Sequence, residues 1–163
     1  MNSSLRLWKT FASAIFTILV LTASANALDY ADYRRLDNLW HKALQLENDI
    51  TNAQQDARGH EAVVDCFDSI YSHLERVEMS IGFLTKLAAA ATAMVDRFDE
   101  KIVLDTLKLE VKSFFNNYIN TGRIYTNKVE GTCSENYVVA VKAQEVLRFY
   151  NDASSVVRSI VGP

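Results

Sequence analysis

The amino-acid sequence predicts an all-α protein, an antiparallel up-down-up-down four-helix bundle closed by one disulfide. Three observations carry this. Val63, Phe67, Ile70, Leu74, Val77, Ile81, Leu84, Ala88, Ala91 and Val95 follow one another at alternating steps of four and three, and all are apolar. That is the seam spacing of a helix packed on other helices. Three more segments carry apolar stripes of the same period, separated by short polar or glycine-containing breaks. Finally, the two cysteines, Cys66 and Cys133, fall where alternating helices bring them to the same end of a bundle.

The first 27 residues are set apart from the fold. Arg6 and Lys9 give a basic start, Phe11 to Leu21 an apolar run, and Ala25-Asn26-Ala27 a small-x-small cleavage site, the pattern of a secretory signal peptide. Ser13, Thr17, Thr22 and Ser24 break the run, which is too polar for an uncleaved membrane anchor. Residues 28–163 then form one domain, expected in the periplasm or outside the cell. Without Arg6 and Lys9 the chain keeps 15 basic and 20 acidic residues, a net charge of −5. This balance argues against a nucleic-acid partner. No later apolar run is long enough to span a bilayer.

The first helix is predicted from Tyr30 to Ala57, with Leu36, Trp40, Ala43, Ile50 and Ala57 near one face and Arg35, Lys42, Asn48, Asp49 and Asp56 in water. Gly59 suits the left-handed position that ends a helix. Helix two is predicted from Glu61 to Met94. Its first half presents Asp65, Asp68, Ser72, Glu75 and Arg76 outward; from Ile81 to Val95 only Thr85, Lys86 and Thr92 are polar. The acids Glu61, Asp65, Asp68, Glu75 and Glu78 spread over more than four turns and read as a solvated face.

The break Asp96-Arg97-Phe98-Asp99-Glu100 carries the next turn, with Asp96 or Asp99 capping helix three. Helix three shows Leu104, Leu107, Val111, Phe114, Tyr118 and Tyr125 at seam spacing, widened by Phe115 and Ile119. Gly122 predicts either a kink or a helix end near Asn120, because glycine inside a helix costs about 1 kcal/mol relative to alanine. Gly131 predicts the end of this segment. Thr132 and Glu135 have capping-box spacing, which places Cys133 in the first turn of helix four. Helix four follows with Val139, Ala143, Val146, Tyr150, Ala153, Val157 and Ile160.

An even cysteine count behind an export signal predicts a Cys66–Cys133 disulfide. No metal site or cofactor is predicted. His41, His60 and His73 belong to no Glu-x-x-His pair, and the one geometry to consider sets His41 beside His73 across the first hairpin. No catalytic residues are predicted. The feature with a claim to function is the apolar half of helix two, where Met79, Gly82, Phe83, Ala89, Ala90 and Ala93 form a candidate contact surface for a protein partner or a second copy of the chain. The expected function is non-catalytic binding, as an inhibitor, immunity-type or chaperone-like factor. The alternative is a bundle that binds a small molecule or cofactor, possibly as an enzyme, in a cavity lined by Arg34, Lys42 or His73.

Overall fold

The structure, a computed structural model, describes the backbone of residues 30–94 and 100–161 and the side chains of residues 33–90 and 105–161. The leader, the break at 95–99 with its Asp96 and Asp99 caps, and the Ala93 side chain lie outside the described residues. The elements are α1 (Tyr30–Asp56), α2 (Glu61–Met94), α3 (Glu100–Phe114), a π-helical turn (Phe115–Ile119), α4 (Asn120–Thr132) and α5 (Tyr137–Val161). Because α3, the π turn and α4 run on without a break, the described residues build four rods, and no strand occurs among them.

The first and third rods each pack on α2 and α5, with α2 and α5 in contact across the diagonal. Side-chain pairs fix the directions. Arg35 meets Ser159, Lys42 meets Asp152, and Asp49 meets Lys142, so rising numbers on α1 match falling numbers on α5. Neighbouring rods are antiparallel, as the sequence predicts. The predicted stripe of α2 runs through the core of the bundle: Phe67, Ile70, Leu74, Val77, Ile81, Leu84 and Ala88 are all buried, Val63 is half-buried, and the side chains of Ala91 and Val95 lie outside the described residues. The seven stripe positions of α5 are buried too. Gly59, at φ 95°, makes the left-handed stop after α1.

The third rod departs from prediction in register. Leu107, Val111 and Phe114 are buried, but Tyr118 and Tyr125 are exposed, and the inward positions are Ile119, Gly122, Thr126 and Val129. The stripe steps by five residues between Phe114 and Ile119. The π turn absorbs the extra residue, with the Asn120 N–H donating to the Phe115 carbonyl, and everything beyond turns by about 100° relative to an unbroken α-helix.

Nor does Gly122 end or cap anything. It is buried within α4, where a Cβ would stand 2.7 Å from the Tyr150 hydroxyl oxygen. The glycine lets α4 close onto the ring of Tyr150 on α5. At the next break, Thr132 Oγ1 donates to the Lys128 carbonyl instead of capping α5. Asn136 takes the cap, its Oδ1 accepting from the N–H groups of Val138 and Val139. A cap at Asn136 starts the last helix later than predicted, so Cys133 lies just past the end of α4 rather than inside α5. From there it forms the disulfide to Cys66, with Cα atoms 6.5 Å apart.

Candidate functional site

The outward face of α2 is the candidate contact surface. Met79 is 64% exposed and Phe83 61% exposed, one turn apart, and Ala89 and Ala90 are also exposed. Met79, Phe83, Lys86 and Ala90 fall at helical spacing along one line, and Lys86 is its only charge. Thr85, beside Lys86 in sequence, turns inward and donates to the Ile81 carbonyl. The rod thus keeps an apolar outer face where its inner face is already filled by Ile81, Leu84 and Ala88.

Gly82 does not belong to that open face. It is buried under Trp40 of α1, whose Nε1 would lie 2.9 Å from an added Cβ. The close approach expected of this glycine is made within the chain, by an indole. Trp40 is held there from two sides, since its Nε1 donates to Glu78 Oε1 and the Lys86 ammonium sits 5.6 Å from the ring centroid.

Trp40 is one rung of a polar ladder along the α1–α2 seam. Trp40, Glu47 and Gln54 recur every seven residues on α1 and face α2. Gln54 donates to Asp68 at one end, and Trp40 donates to Glu78 at the other. Between them stands Glu47, half-buried, with its Oε1 shut off from solvent and without a hydrogen-bond partner. Burial first, then the neighbouring carboxylates of Glu78 and Glu75, push the Glu47 carboxyl up to about 7. The same surroundings raise the Tyr71 phenol, burial again leading, then the charges of Glu47, Glu75 and Glu78. Glu47 carries no signal within α1 alone, and Glu78, expected in water, instead faces α1. The signal that finds them is the seven-residue recurrence Trp40, Glu47, Gln54, set against acids at Asp68, Glu75 and Glu78.

The histidines are kept apart. His41 is exposed and bonds through Nδ1 to the Asp37 carbonyl oxygen on its own helix, 2.8 Å away. His73 faces the third rod and stacks on Tyr125 with ring centroids 4.1 Å apart. Burial lowers its pKa, and Arg76 adds to the effect. The hairpin therefore does not pair His41 with His73. Lys42 is engaged by Asp152 on the α5 side of α1, so it does not converge with His73 on a common cavity. Among the described residues no group of three or more His, Cys, Asp or Glu is placed to hold a metal ion.

Two clefts open at the disulfide end. One, of about 270 Å³, is walled by Ala53, Ala57, Val63, Phe67 and Val138, with Asp56, His60 and Asn136 among its lining. The other, of about 280 Å³, lies beside the disulfide between Ser69, Tyr125, Lys128 and Val129. Neither is lined by Arg34, Lys42 or His73. In the core, Thr126 Oγ1 and Tyr150 Oη are buried without hydrogen-bond partners. Burial holds the Tyr150 phenol well above its ordinary range; the nearby Thr126 hydroxyl draws it part of the way back, although the two oxygens fall short of hydrogen-bond geometry.

No helix among the described residues is long and apolar enough to cross a membrane. The chain matches no protein-family model, and no curated protein or solved structure matches it.

Proposed function

We propose that this is an exported, non-catalytic binding protein that engages a protein partner through the outer face of α2. The observation that carries the reading is the exposure of Met79 and Phe83, two large apolar side chains one turn apart on a rod whose inner face is fully packed. Side chains of this size, exposed together and continued by Ala90, are the material of a contact surface. The Cys66–Cys133 disulfide supports the export half of the proposal, because such bonds persist in oxidising compartments.

The test is a photo-crosslinking amino acid placed at position 83 and, as a control, at exposed Arg148 on α5. A discrete crosslinked species from position 83 and none from 148 is the expected result. Its mass distinguishes a second copy of the chain from another protein. No crosslink from 83, or the same set from both positions, overturns the proposal.

A small apolar ligand is the second reading, favoured by the cleft between Ala53, Val63, Phe67 and Val138. An environment-sensitive apolar dye that brightens with the native protein, and not with Val138→Glu, supports it. No binding by the native protein removes it.

A further inference from the structure

We propose that the α1–α2 seam is a pH-sensitive joint in which protonation of Glu47 closes the contact and its ionisation loosens it. The geometry comes first. Glu47 occupies the middle rung of the ladder, between Gln54–Asp68 near the Gly59 turn and Trp40–Glu78 farther along. On α2 it is faced by Tyr71, Glu75 and Glu78, two carboxylates and a phenol, none of which carries positive charge. Two cations of α1 are engaged elsewhere. Lys42 pairs with Asp152, and Arg35 bonds to Ser159; on that same α5 side Lys142 pairs with Asp49 and Glu145. Lys86, on α2, sits over the Trp40 ring.

An ionised Glu47 thus brings a third carboxylate into a seam already holding Glu75 and Glu78, with one oxygen sealed from water and unpaired. Burying an unpaired charge is unfavourable, and like charges at close range add to the cost. A protonated Glu47 removes the charge and offers an O–H donor to neighbours that can accept it. The position of the charge decides what moves. The Gly59 turn ties α1 to α2 on the Gln54 side of Glu47, and the disulfide ties α2 to the end of the third rod rather than to α1. The free side of the seam is the Trp40 half, so Trp40 and its bond to Glu78 respond first.

The sign follows from the raised value of about 7. The stabilisation from the protonated group is complete below the ordinary carboxylate value of 4.5 and is lost as pH rises through about 7. This is opposite to the usual behaviour of a salt-bridged carboxylate.

The experiment follows the indole N–H resonance of Trp40 by NMR from pH 5.5 to 8.5, identified by its loss in Trp40→Phe. The expected result is an inflection near neutrality that Glu47→Gln abolishes and Glu75→Gln moves to lower pH. A direct ¹³C titration of the Glu47 carboxyl in the unmodified chain gives the same midpoint without any variant. A Trp40 resonance that stays flat over the range, one that titrates unchanged in Glu47→Gln, or a Glu47 carboxyl that titrates at the ordinary carboxylate value overturns the proposal.

Discussion

The rods α2 and α3-to-α4 lie side by side and are nearly equal in length, yet they keep register in different ways. From Phe67 to Ala88, α2 holds one unbroken stripe, each member buried at the spacing of an ideal helix. The third rod holds a stripe only by inserting a residue at Phe115–Ile119, after which its inward positions shift by one. The two rods also use glycine differently. Gly82 admits an indole at the seam with α1, whereas Gly122 admits the fully buried ring of Tyr150. A regular stripe makes a rod insensitive to local chemistry but intolerant of any change in length. An interrupted stripe makes the reverse.

Single-residue deletions test that difference most strongly. Deleting exposed Arg76 from the middle of α2 rotates half of its stripe by about 100°, and loss of cooperative folding by circular dichroism is expected. Deleting Asn116 from the π turn instead restores α spacing between Phe114 and Ile119, and a cooperative melt is expected to survive. Equal damage from both would show that the π turn is not the element absorbing the extra residue.

The bond joining the two rods ranks next. Cys66→Ser with Cys133→Ser releases a closure spanning 67 residues, worth about 4 kcal/mol on loop entropy, and urea unfolding should show a loss of that order. The glycines follow. Gly122→Ala drives a Cβ against Tyr150, which cannot swing away, and should cost about 2 kcal/mol as an overpacked core site. Gly82→Ala meets half-buried Trp40, which can shift at the edge of the seam, and its gain in helix propensity of about 1 kcal/mol offsets much of the strain. If the two alanines cost the same, Trp40 is as confined as Tyr150. The smallest effect distinguishes the caps. Asn136→Ala should cost about 1 kcal/mol and Thr132→Ala much less, by thermal denaturation, because only Asn136 satisfies the first N–H groups of α5.

Much of this was legible in the chain. Among the described residues the α2 stripe from Phe67 to Ala88 and the α5 stripe are buried at every position, with Val63 only half-buried, since each is a single period of apolar members. The Gly59 stop was legible because only glycine takes that backbone angle readily. The π turn was not, because Tyr118 is apolar enough to extend the old register and masks the step from Phe114 to Ile119. Gly122 was misleading for a related reason. Its helix-breaking tendency is a local property, while its use here depends on Tyr150 in another rod. The Thr132–Glu135 spacing competed with Asn136, and the capping position went to the asparagine. Of the candidate surface, Met79 and Phe83 stand open, Ala89 and Ala90 with them, but Gly82 lies under Trp40 because nothing within α2 tells which neighbour uses a small residue. Glu47 is not legible in α1 alone because its environment is made by two helices together.

On the proposed function, Phe83 serves contact with a partner rather than the packing of the bundle. The most direct measurement is Phe83→Asp, read by its melting temperature and by photo-crosslinking from position 79. A melting temperature within about 1 °C of the unmodified protein is expected, since surface substitutions change stability little, together with loss of the crosslink. A melting temperature lowered by many degrees, or a crosslink from position 79 that survives the new charge beside it, would contradict the claim.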